Sequence, residues 1–188
     1  MTKTLLAALL AAGAVTAHAE IATYAIDPSH TFVTFEANHM GTSTSRGRFD
    51  KKEGTIALDK SGKTGKVDIT IDATSISTGV PALDTHLKSK DFFNAAEFGT
   101  VKFSADKFAF TGDKVSEVTG TLTMLGKSQP VTLKATSFNC YINPMLKREV
   151  CGGDFETTIT RSQFGMTYGL PGIPDDIRLL IQIEAAKQ

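Results

Sequence analysis

The chain has 188 residues, and its 20 Lys plus Arg balance 20 Asp plus Glu, so the formal net charge is zero. Without surplus positive charge it is not a nucleic-acid binder of the kind that replaces counterions along phosphates. With 41% hydrophobic and only 21% charged residues it is no acidic disordered chain either, and its length suits one domain.

The first element is an address. Lys3 gives a positive start, Leu5 to Val15 form an apolar run, and Ala17-His18-Ala19 has the small-residue pattern of a cleavage site. This predicts a signal peptide over residues 1–19, cut after Ala19. The run is about 11 residues, short of the about 20 that span a bilayer. An uncleaved anchor is the alternative. No later segment is long and apolar enough for a membrane span, so the expected product is a soluble protein of the bacterial periplasm.

From Val33 onward the chain alternates. Val33, Phe35 and Ala37 share one strand face, and so do Val67, Ile69 and Ile71. Shorter candidates are Arg46 to Phe49 and Gly54 to Leu58, with a turn signal at Lys60 to Lys63. Pro81 to Lys90 reads as the one helix, with Leu83 and Leu87 at i, i+4 and Pro81 in the first turn. Phe92 and Phe93 follow, expected where the helix meets the sheet. Thr100 to Phe110 and Lys114 to Leu125 form a long hairpin around Gly112. Val101, Phe103 and Ala105 share one face of its first strand, but Phe108 and Phe110 fall on the other. A bulge near Asp106-Lys107 would bring them back to one side.

The last third continues the pattern. Val131, Leu133 and Ala135 alternate, then Gly153 to Thr160, then Ile177, Leu179, Ile181 and Ile183. Cys140 and Cys151 are the only cysteines, and an even count in an oxidising compartment predicts one disulfide. The three His beyond the signal peptide lie far apart, so no metal site is expected.

About eight antiparallel strands with one dry face exceed what a single helix can cover. Closure into an elongated eight-stranded barrel, lipocalin-like and all-β with a short helix near one end, solves this and removes the sheet edges. Ala37, Ala105, Gly120 and Ala135 on the inner face would leave an apolar tube. The same small residues would also let the two sheets of a sandwich approach closely.

Several blocks in order resemble the YceI-like family of bacterial periplasmic lipocalin-fold proteins. They include Ile26-Asp27-Pro28-Ser29-His30, His39-Met40-Gly41, Gly47-Arg48-Phe49, Leu83 to Phe93, Val118 to Thr123, and Arg161 to Met166. The resemblance runs from Tyr24 to about Ala186. It implies a barrel tunnel holding an apolar small-molecule ligand, a polyisoprenoid or polyprenyl quinone, with no other cofactor. It also brings in a homodimer.

A tail without hydrogen-bonding groups needs only dry area, which aromatic and flexible apolar side chains supply. The tunnel-wall candidates are Phe32, Phe35, Phe49, Phe93, Phe103, Leu122, Met124, Phe155, Phe164 and Met166. Each has ordinary core packing as its alternative. Head-group candidates are His30, His39 and Arg161, where Arg161 would otherwise pair with a carboxylate such as Asp27 or Asp154. No G-x-S-x-G elbow, P-loop or dinucleotide fingerprint is present, so a binding protein is expected and not an enzyme. The rival readings are a periplasmic enzyme acting on an isoprenoid or quinone, and a stress-related structural protein with no specific ligand.

Overall fold

A strand with every second residue apolar must bury one face, and among the described residues eleven strands join in a single antiparallel sheet. The computed structural model describes residues 21–188, so the expected signal peptide lies outside the described residues. The strands are β1 (Ala22–Ile26), β2 (Phe32–His39), β3 (Ser43–Phe49), β4 (Lys52–Asp59), β5 (Thr64–Asp72), β6 (Ile76–Ser77), β7 (Thr100–Thr111), β8 (Lys114–Met124), β9 (Lys127–Asn143), β10 (Arg148–Thr160) and β11 (Asp176–Lys187). Helix α1 (Pro81–Lys88) lies between β6 and β7.

Eight strands close a barrel in the order β1-β4-β5-β7-β8-β9-β10-β11, with β11 returning to β1. The other three, β2, β3 and β6, continue the sheet from the edge of β11. The split arises because β11 offers one edge to two strands. Its residues Ala185 to Lys187 pair with β1, and Arg178 to Gln182 pair with β2. Between them the chain turns at Pro28, held by Asp27, whose carboxylate accepts from Ser29 N at 2.8 Å and Ser29 Oγ at 2.6 Å. Local turn chemistry thus breaks one long strand into two and lets the wall change direction.

The β7–β8 hairpin has its bulge where the phase conflict required one. Ala105 pairs with Gly120 and Lys107 with Thr119, leaving Asp106 as the extra residue. Val101, Phe103 and Ala105 are buried on the near side of the bulge, and Phe108 packs against the same core beyond it.

The helix ends at Lys88, two residues short of the expected Lys90, because Ser89 N turns back to His86 O at 3.0 Å. Leu87 and Phe92 are buried beneath it, and Phe93 meets Phe49 edge to face at 5.4 Å.

Strands β9 and β10 outrun the barrel as a hairpin. Cys140 and Cys151 are register partners in it and are disulfide-bonded. Closing a loop of 11 residues constrains the unfolded chain by about 2–3 kcal/mol. At about 2–4 °C per kcal/mol for a chain this size, Cys140→Ser should lower the melting temperature by roughly 4–12 °C and leave ligand choice unchanged. A melting temperature indifferent to reductant would contradict this.

Candidate functional site

The inward faces of the barrel do not fill it. An inner cavity of about 120 Å³ lies within the ring, and an outer cavity of about 350 Å³ lies between β2, β3, α1 and the adjacent strand ends. Val33, Ile71, Leu122 and Leu179 line both, so the cavities adjoin at a waist. Together they make an apolar interior along the barrel, divided at these four side chains.

The inner cavity collects Phe103, Leu122 and Phe155 of the expected wall. The outer cavity collects Phe35, Phe49, Phe93, Met124 and Met166. Two candidates lie elsewhere. Phe32 is on the opposite face of β2, beneath Arg48 at 5.0 Å and Lys52 at 4.5 Å from its ring centre. Residues three apart on a strand cannot share a face, so Phe35 facing the tunnel excludes Phe32. Phe164 is fully buried in the 3₁₀ turn after β10 and lines neither cavity.

Four aromatic wall residues were not among the candidates: Tyr24, Phe108 and Phe138 at the inner cavity and Phe92 at the outer. Phe108 follows from the Asp106 bulge. Phe138 follows from a second irregularity, because Phe155 pairs with Ala135 while Asp154 pairs with Ser137. Thr136 is therefore the extra residue, and the inward phase of β9 passes from Ala135 to Phe138. The sign in the sequence is the apolar alternation changing from odd to even positions.

The polar groups that reach the inner cavity are engaged by protein. Tyr24 donates its hydroxyl to Glu149 at 2.5 Å, Thr31 Oγ1 donates to the Glu184 carbonyl at 3.2 Å, and Lys52 Nζ donates to the Asp50 carbonyl at 3.3 Å. The inner space is thus left to apolar contact. The outer cavity differs, with Asn38, His39, Ser43 and Arg46 at its edge. Arg46 is ion-paired with Glu36 at 2.7 Å.

Of the three head-group candidates, His39 and Arg161 line the outer cavity and His30 lines neither. His30 is an exposed turn residue whose Nδ1 lies 2.9 Å from Asp27 Oδ2. Hydrogen bonds from Ser29 and then His30 hold the Asp27 carboxyl down at about 2, and the bond to Asp27 raises the His30 imidazole. A raised imidazole stabilises below its unfolded pKa, and that contribution is lost as pH rises through the folded value. The depressed carboxyl contributes above its unfolded pKa and loses that as pH falls toward about 2. In an NMR titration the His30 midpoint should lie above that of a free imidazole and fall on Asp27→Asn. An unmoved midpoint would dissolve the pair.

Arg161 pairs with neither Asp27 nor Asp154. It is 2% exposed and donates to three backbone carbonyls: Pro174 at 2.9 Å, Met166 at 3.0 Å and Ile173 at 3.0 Å. Burial lowers its pKa, and the nearby Asp175 carboxylate opposes that. The guanidinium fork suits three acceptors presented by one loop, which a single carboxylate elsewhere could not replace.

The family model described as YceI-like domain matches residues 24–185. Protein YceI of Salmonella arizonae is 32% identical over 176 residues, covering 92% of this chain and 91% of that protein. Among solved structures, the Campylobacter jejuni YCEI protein is 27% identical with a TM-score of 0.67, over 80% of this chain and 90% of its own. A polyisoprenoid binding domain from Saccharophagus degradans, implicated in plant cell wall breakdown, has a TM-score of 0.62 over 90% of this chain and 100% of its own. At 14% identity that likeness is one of fold.

Proposed function

We propose that this chain, which belongs to the YceI-like domain family, is a periplasmic carrier that holds the tail of a polyisoprenoid or polyprenyl quinone inside its barrel. The observation behind this reading is the pair of adjoining cavities, walled mainly by apolar side chains, with Asn38, His39, Ser43 and Arg46 at the outer edge. The name of the Saccharophagus degradans neighbour supports the same ligand class. Binding is favoured over catalysis because the polar side chains that reach the inner cavity, Tyr24, Thr31 and Lys52, are each bonded to a protein group.

The physical case is one of area. At about 25 cal/mol per Å², a tail burying about 400 Å² gains about 10 kcal/mol before the cost of ordering it. The outer edge, with Asn38, His39 and Arg46, is where a polar head group would remain in contact with water.

The test is extraction of protein purified from the periplasm, with mass analysis of what is released. The stripped protein is then titrated with polyprenyl quinones of increasing tail length. The expected result is a compound built of five-carbon units, and affinity that rises with tail length until the tunnel is full. Folded protein that emerges empty and takes up none of these quinones would overturn the reading. Sedimentation of the loaded protein tests the homodimer that belongs to the same proposal.

A further inference from the structure

The β9–β10 hairpin carries an exposed apolar tip that the tunnel does not use. Ile142 is 68% exposed and Met145 85%, with Tyr141 and Leu146 exposed beside them. Isolated exposed apolar residues are ordinary, but a contiguous set on one projection marks a contact surface. The tip is also ordered. Asn143 Oδ1 accepts from Met145 N at 2.9 Å and Leu146 N at 3.0 Å, while Lys147 N donates to the Asn143 carbonyl at 2.9 Å. The disulfide braces the two strands just behind it. Glu149 pins the hairpin to the barrel, accepting from Tyr24 and from Lys60, both at 2.5 Å.

Cations flank two of these apolar residues. Ile142 and Leu146 share a groove with Lys60, Lys147, Arg148 and Lys187, against Asp59 and Glu149. One of those two carboxylates, Glu149, is already paired with Lys60. A protruding apolar tip within a positive surround matches the interface of an anionic bilayer, where apolar side chains enter the acyl boundary and Lys and Arg meet the head groups. Ile21 is also exposed, beside Ala22 in the same groove.

We propose that the β9–β10 tip docks on a lipid bilayer carrying anionic head groups. β10 runs from Arg148 at the tip to Ile159 in the outer cavity, roughly 35–40 Å at about 3.4 Å per residue. Docking therefore stands the barrel on the membrane with its outer cavity pointing away.

The chain has no Trp, so Ile142→Trp places a sole tryptophan, excited apart from the three Tyr, at the tip, and Met40→Trp places one next to His39 of the outer cavity. Each full-length variant is mixed with phosphatidylethanolamine–phosphatidylglycerol vesicles and with phosphatidylcholine vesicles, with and without brominated chains. The N-terminal segment is common to all variants. The tip reporter should shift to the blue and be quenched by brominated lipid on the anionic vesicles, while the reporter at position 40 is not. Adding Lys147→Gln and Arg148→Gln should weaken the tip signal about fivefold per cation removed, from about 1 kcal/mol for each near an anionic surface. A tip reporter that brominated lipid leaves unquenched overturns the proposal, as does quenching at position 40 instead. A blue shift that grows with protein concentration in the absence of vesicles would assign the tip to a second copy and overturn it too.

Discussion

Leu122→Arg should abolish uptake of a long polyprenyl quinone. Leu122 lies on β8 between Phe103 of β7 and Gln129 of β9, is 8% exposed, and lines both cavities. A tail that extends through both must pass it. An arginine there sets a charge in an apolar waist, and desolvating it without a partner costs several kcal/mol. If the tail is confined to one cavity, about half of its burial is lost. That is about 5 kcal/mol, or more than about a thousandfold in Kd. Because the charge could unfold the chain, Leu122→Trp is the companion variant. It narrows the same waist with an apolar side chain and keeps the wall dry. With it, long tails should weaken strongly, while a short-tailed quinone that needs only the outer cavity should bind nearly as before. Unchanged long-tail uptake by either folded variant would mean that the tail does not cross the waist.

What the sequence made legible, and what it hid, divides by how local the cause is. The β7 bulge was readable because Phe103 and Phe108 are large and out of phase, so flat alternation would leave one exposed. The equivalent shift in β9 shows as a change of apolar phase but not as a position, because Thr136 and Ser137 are both small and polar, and either could be the extra residue. Phe32 and Phe35 could not both face inward, yet nothing within β2 says which one does. That choice is made by β11, where Phe35 pairs with Leu179. Phe164 lies past the end of β10, where alternation no longer governs direction. The branching of β11 between β1 and β2 depends on a strand some 150 positions away from the turn at Asp27, as in the Thr31–Glu184 bond at a separation of 153. Pro28 marks the turn without revealing that both sides of it use one edge.

The same distinction explains Arg161, whose role no local pattern announces. Its own N–H donates to Asp175 O at 2.9 Å, and its guanidinium holds the carbonyls of Met166, Ile173 and Pro174. Ser162 adds two bonds to the Asp175 carboxylate, at 2.8 and 2.6 Å. Both ends of the 166–175 loop are therefore tied to the first turn after β10, and Met166 and Ile173 of that loop line the outer cavity. Arg161→Met removes the fork and leaves three carbonyls without their donor. An unsatisfied buried group costs about 1–3 kcal/mol, and with partial relaxation and water entry the total should be about 3–5 kcal/mol. At about 2–4 °C per kcal/mol the melting temperature should fall by roughly 6–20 °C. Arg161→Lys should recover only part of this, because one ammonium cannot reach three carbonyls set for a planar fork. Hydrogen exchange gives the readout specific to the loop. The Met166 and Ile173 amides, bonded to Arg161 O and Gly169 O, should lose protection while those of the β7–β8 hairpin keep theirs. Ligand should also leave faster, since the loosened loop forms part of the outer wall. If Arg161→Met melts like the parent protein, the guanidinium is not what holds the loop, and the outer wall must be kept in place by the Ser162–Asp175 pair and apolar packing alone.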